Sequence, residues 1–117
     1  MNKPVLVVDD DEAVRIVTTE MLKRLECDVT CADGGPQALA LLQDSQFDII
    51  FLDVGMPSMS GIEVYAKVRE SLPEQKIVFM TGYSEEDITD LGNANTWILP
   101  KPFTLNALRE VVNAVFD

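Results

Sequence analysis

The chain has 117 residues, 47% of them hydrophobic and 25% charged, and its 9 basic and 20 acidic side chains give a formal net charge of −11. That length suits one domain with a real core and no more. The acidity argues against direct binding to DNA, RNA or an anionic membrane surface, and the absence of histidine excludes His-based acid–base catalysis and a phosphodonor histidine within these residues.

Val5-Leu6-Val7-Val8 reads as a short strand that stops at Asp9-Asp10-Asp11. Over 12–25, Val14, Val17, Met21 and Leu25 recur at helical spacing and predict the buried side of an amphipathic helix, with Asp10 or Asp11 able to cap it. A second strand over 28–31 is flanked by Cys27 and Cys31. An i, i+4 pair in a strand is roughly 13 Å apart, too far for a disulfide, so both read as buried small hydrophobes. With no histidine, two cysteines are also too few for a zinc site. Gly34-Gly35-Pro36 turns into a second helix that buries Ala38, Leu39, Leu41 and Leu42.

Residues 47–53 are apolar apart from Asp48, which suits a strand buried on both faces, and they end in Asp53. After a Pro/Gly/Ser-rich loop, Ser60-Gly61-Ile62-Glu63 has the form of a capping box for a third helix over 61–71. A fourth strand over 77–80 runs into Thr81-Gly82. Beyond it, residues 84–91 predict a short helix with only Ile88 and Leu91 to anchor it. A fifth strand over 96–99 leads to Pro100-Lys101-Pro102-Phe103, and a last helix is capped by Thr104 and buries Leu105, Leu108, Val111, Val112 and Val115. No apolar run approaches the roughly 20 residues of a membrane span. Met1-Asn2-Lys3-Pro4 enters a strand too directly for a signal peptide. A cytoplasmic location is the expectation.

Strict alternation of strands and helices predicts an α/β, doubly wound (βα)5 three-layer sandwich around a five-stranded parallel sheet, with residues 1–117 as a single domain. Ligands bind such sheets at the carboxyl ends of the strands. There the topology gathers Asp9 and Asp10, Asp53, Thr81 and Lys101. Carboxylates about 4 Å apart repel by on the order of 4 kcal/mol per pair at an effective dielectric near 20, so the rim calls for positive charge. Lys101 offers one, and Mg²⁺ (or Mn²⁺), which favours carboxylate, carbonyl and water oxygens, offers another. A carboxylate nucleophile, a hard cation, a lysine and the Thr81 hydroxyl together make a phosphoryl-transfer site.

The ordered set Val7-Val8-Asp9-Asp10, Leu52-Asp53, Met56-Pro57-x-x-Ser60-Gly61, Met80-Thr81 and Lys101-Pro102-Phe103 resembles the receiver domain of two-component response regulators. The resemblance implies a flavodoxin-like sheet of order 2-1-3-4-5. It implies Asp53 as acceptor of a phosphoryl group from a histidine kinase or histidine phosphotransfer protein, with Mg²⁺ held by Asp9, Asp10, Asp53 and the Gly55 carbonyl. Thr81 and Lys101 would bind the phosphoryl group, and the Lys101-Pro102 peptide would be cis. Such a module is a regulatory phosphoacceptor whose only chemistry is its own phosphorylation and slow hydrolysis. Gly82-Tyr83 is similar to receivers of hybrid sensor kinases, and Tyr83 stands where it could shield the phosphoryl group from water.

The sequence departs from that family at the switch. Ile98 stands where an aromatic is usual, with Trp97 one residue earlier, and strand alternation sends Trp97 to the opposite face. The bistable element should be the loop after Thr81 with the weak fourth helix. An effector contact or a phosphorylation-dependent homodimer would then use the fourth predicted helix, the fifth strand and the last helix. Two alternatives stand beside this reading. Asp9-x-Asp11 after a strand resembles a haloacid dehalogenase-like phosphatase with Asp9 as nucleophile, although Glu12-Ala13 replaces its usual Gly-Thr. The other is a receiver-like binding module that is never phosphorylated.

Overall fold

The computed structural model describes residues 3–56, 59–82 and 95–116. Five strands, β1 (Lys3–Val8), β2 (Cys27–Ala32), β3 (Ile49–Asp53), β4 (Lys76–Thr81) and β5 (Thr96–Pro100), pair in parallel in the order β2-β1-β3-β4-β5. Among the described residues the helices are α1 (Glu12–Arg24), α2 (Gly35–Asp44), α3 (Gly61–Ser71) and α4 (Leu105–Phe116). The predicted helix over 84–91 and Tyr83 lie outside the described residues.

The two layers follow from the period-2 alternation of the strands. Val5, Val7, Ile49, Phe51, Val78 and Met80 pack with Leu22 of α1 and with Leu108, Val112 and Val115 of α4. Leu6, Val8, Ile50, Leu52, Ile77 and Phe79 pack with Ala38 of α2 and with Val64, Tyr65 and Val68 of α3. All of β3 is buried, which is why it reads as a continuous apolar run. The strand starts at Ile49, later than its apolar pattern suggests. Asp48 stays exposed, and only its N–H, bonded to the Pro4 carbonyl at 2.8 Å, joins the sheet edge.

The helix caps are where the sequence puts them. Ser60 Oγ accepts the Glu63 N–H at 3.2 Å, Thr104 Oγ1 accepts the Ala107 N–H at 3.0 Å, and Asp11 Oδ1 accepts the Ala13 and Val14 N–H groups. The buried side of α1 differs from the expectation. Thr18 and Leu22 face the sheet, Val14, Met21 and Leu25 are half-buried, and Val17 and Ile16 are 52% and 56% exposed. Helical spacing cannot separate these neighbouring stripes. The Asp11 cap and a hydrogen bond of 2.7 Å from Arg15 Nη1 to the Asp9 carbonyl accompany the rotation that turns Val17 outward and Leu22 onto the sheet. Cys31 is likewise only half-buried, because β2 is an edge strand, and its Sγ lies 3.2 Å from Thr19 Oγ1; Cys27 is buried, and both thiols are free. No helix among the described residues is long and apolar enough to cross a membrane.

Candidate functional site

The same alternation that builds the core aims three side chains at one spot. Register places Val8 level with Leu52, so the next residues, Asp9 and Asp53, leave adjacent strands side by side. Both continue the stripe of Val5 and Val7 or of Ile49 and Phe51, toward the α1/α4 layer. Lys101 continues Trp97 and Leu99 of β5 onto that same side. Thr81 is in step with Ile77 and Phe79, toward the other layer, and is 2% exposed at the end of β4, where its carbonyl accepts the Lys101 N–H at 2.8 Å.

Lys101 Nζ donates to Asp9 Oδ2 at 2.9 Å and to Asp53 Oδ1 at 3.1 Å. The two carboxylates it bridges are 0% and 7% exposed. Asp9 is further committed, because its Oδ1 accepts the Asp11 N–H at 2.9 Å. Asp53 Oδ1 also accepts the Gly55 N–H at 3.3 Å, which leaves Oδ2 without a partner among the described residues. Burial pushes the Asp53 carboxyl above its ordinary value, the Lys101 hydrogen bond only partly offsets this, and the nearby Asp9 charge adds to it. For Lys101, burial alone would lower the value, but its hydrogen bonds to Asp9 and Asp53 outweigh that and raise it.

Asp10 is exposed, yet one oxygen each from Asp9, Asp10 and Asp53 lie within 4.8 Å of one another. Three carboxylates, with no sulfur or imidazole among them, fit a hard divalent cation such as Mg²⁺ or Mn²⁺. The Lys101–Pro102 peptide is cis. Trp97 and Ile98 are both half-buried and go to opposite layers, Trp97 into that of α1 and α4, Ile98 into that of α2 and α3.

Three contributors escape a reading of the sequence alone. Arg15 holds the Asp9 carbonyl, but in the sequence it is only a polar position on a helix. Val17 is exposed in the groove beside Lys101. Gly61 reads as a helix start, yet a Cβ there would collide with the Asp53 carbonyl oxygen and come within 2.8 Å of Val54 Cα, while its N–H bonds the Val54 carbonyl at 3.1 Å. Gly61→Ala is therefore expected to push the end of β3 out of place, at a cost of about 1–3 kcal/mol in urea unfolding.

A family profile described as the response regulator receiver domain matches residues 5–113. The chain belongs to that family. It is a receiver domain of the two-component phosphorelay type, a regulatory signalling module. It is 36% identical over 109 residues to the autoinducer 1 sensor kinase/phosphatase LuxN of Vibrio campbellii, covering 92% of this chain and 13% of LuxN. It is 32% identical over 115 residues to the response regulator receiver protein CpdR of Brucella abortus, covering 97% of this chain and 93% of CpdR. Among solved structures, chemotaxis protein CheY4 of Vibrio cholerae superposes with a TM-score of 0.90 at 30% identity, over 98% of this chain and 99% of CheY4. The response regulator TrrA of Thermotoga maritima, solved in complex with Mg²⁺ and BeF, superposes with a TM-score of 0.87 at 30% identity, over 97% of this chain and 98% of TrrA. This receiver thus spans about an eighth of the sensor kinase it matches and nearly all of the free-standing relatives.

Proposed function

We propose that this receiver takes a phosphoryl group from the phosphohistidine of a histidine kinase or histidine phosphotransfer protein onto Asp53, and later loses it to water. The observation that carries the reading is Asp53 itself: one carboxylate oxygen is held by Lys101 and Gly55, and the other is free of partners among the described residues. In transfer, the donor N–P bond breaks as Asp53 Oδ2 forms an O–P bond, and the electron pair stays on the imidazole nitrogen, which takes up a proton. Lys101 holds Oδ1 and faces the incoming phosphoryl oxygens, and Thr81 supplies a hydroxyl at the next strand end. Asp9, Asp10, Asp53 and the Gly55 carbonyl would hold Mg²⁺ (or Mn²⁺), which when bound supplies charge neutralisation for the phosphoryl oxygens. Arg15 and Gly61 keep the rim in shape. On this reading the chain, residues 1–117, is one cytoplasmic domain and a phosphoacceptor rather than an enzyme acting on other substrates. Its output face is built from residues 84–91, β5 and α4, with Tyr83, Trp97 and Ile98 in the switch. Mass spectrometry after incubation with acetyl phosphate and Mg²⁺, wild type against Asp53→Asn, is the test.

The donor's route to the rim has its own support. A groove of about 440 Å³ beside Lys101 is lined by Val14, Val17 and Thr18 of α1 and by Pro102 and Phe103, with Val17 and Pro102 exposed. Exposed aliphatic side chains next to the acceptor suit a partner that covers them while its histidine meets Asp53. Val17→Glu is expected to slow transfer from a phosphohistidine protein that serves the wild type by about tenfold or more, and to leave acetyl phosphate labelling unchanged. Equal slowing of both would mean that the variant damages the rim instead.

A further inference from the structure

The surface between α1 and α4 changes character along its length. Its upper end, beside Lys101, is the apolar groove of Val17 and Phe103. Toward the amino ends of the strands lies a second hollow, of about 310 Å³, bordered by Lys3, Arg24 and Arg109. Arg24 is seven residues beyond Val17 on the same helix, two turns and about 10 Å further down one stripe.

These three cations are exposed, and among the described residues none of them has a carboxylate within salt-bridge reach, although Glu26 borders the hollow. Lys3 is steadied without being neutralised, its Nζ lying 4.1 Å from the centre of the Phe116 ring. A single exposed arginine needs no counter-charge. Three cations sharing one hollow on a chain with 20 acidic residues and a net charge of −11 are a local reversal of the molecule's field. An acidic partner is repelled over most of such a surface and attracted here, so encounter and orientation are both biased toward this groove.

We infer that the groove between α1 and α4 docks an acidic amphipathic helix of a partner protein, its apolar face on Val17 and Phe103 and its carboxylates on Lys3, Arg24 and Arg109. This rests on reading the upper groove as the donor-facing surface, and adds the charge pattern the donor must carry. A free anion would use only the basic end; the apolar groove two turns up the same helix favours a protein segment that reaches both.

The probe is a fluorescein-labelled helical peptide with leucines at one end and glutamates two turns further on, paired with a twin carrying lysines there. Fluorescence anisotropy of each is followed against the full chain at low and at raised ionic strength. The wild type should bind the glutamate peptide in preference to its twin, and more weakly as salt screens the pairing. The Arg24→Glu, Arg109→Glu double variant should bind the glutamate peptide about tenfold more weakly or worse. Undiminished binding by the double variant, absence of preference between the peptides, or full displacement by inorganic phosphate at matched ionic strength would each overturn the inference. Acetyl phosphate labelling of the same proteins separates the two readings. A chain that binds the peptide as expected but takes no label keeps the docking surface and loses the phosphoacceptor site.

Discussion

Asp53→Asn should gain no phosphoryl group from acetyl phosphate and Mg²⁺, while the wild-type chain gains the mass of one. The amide is close in shape to the carboxylate and can still accept from Lys101, so the fold is kept and only the nucleophile is lost. Asp9 and Asp10 remain, and label that persisted in the variant would move the acceptor to one of them and revive the phosphatase alternative at Asp9. The same variant should melt higher than wild type without metal. Burial raises the folded-state pKa of Asp53, with the Asp9 charge adding to it, so the ionised carboxylate is a strain that the neutral amide removes. The sign follows from linkage. A raised carboxyl gives stability that is fully present below its unfolded value and is lost as pH rises through its folded value. The gap between variant and wild type should therefore be widest near neutral pH and close as the solution is acidified. Mg²⁺ should narrow it from the other side, stabilising the wild type more than the variant, because binding to the native state is worth more where the ligand set is complete. Thermal melts across pH, with and without Mg²⁺, check both trends.

Lys101→Met should be the most damaging single change to stability at this rim. The ammonium group lies within 2.9 and 3.1 Å of two buried carboxylates, and its removal leaves like charges facing each other with their desolvation uncompensated. Breaking such a pair by deleting one partner costs about 3–5 kcal/mol when fully buried, and the Lys101 side chain is 23% exposed, so about 2–3 kcal/mol is expected in urea unfolding at neutral pH. The raised pKa of Lys101 means that its contribution is present through neutral pH and is lost only as pH climbs through that raised value. In the variant, acid should restore stability by protonating Asp53, and Mg²⁺ or Mn²⁺ should restore more than it adds to wild type. A variant as stable as the wild type at neutral pH without metal would show that the two carboxylates do not depend on Lys101.

Much of this molecule is legible in one dimension, because local chemistry repeats along the chain at the period of its elements. The apolar runs ending in Asp9, Asp53 and Thr81, the caps at Asp11, Ser60 and Thr104, and the strict alternation of strand and helix determined a doubly wound parallel sheet and named the residues on its carboxyl rim. Which of two adjacent stripes on α1 turns inward goes with a contact made elsewhere, Arg15 reaching back to the Asp9 carbonyl. That contact spans a strand end and a helix turn, and no periodicity records it. Likewise nothing next to Gly61 in sequence announces that the Asp53 carbonyl leaves no room for a side chain. The sequence determined the chemistry available at each strand end and the order of the elements. Only the tertiary structure decided that Lys101 spans both carboxylates, that Val17 faces outward, and that three cations share one hollow, since each depends on distances between segments set by packing rather than by neighbours along the chain.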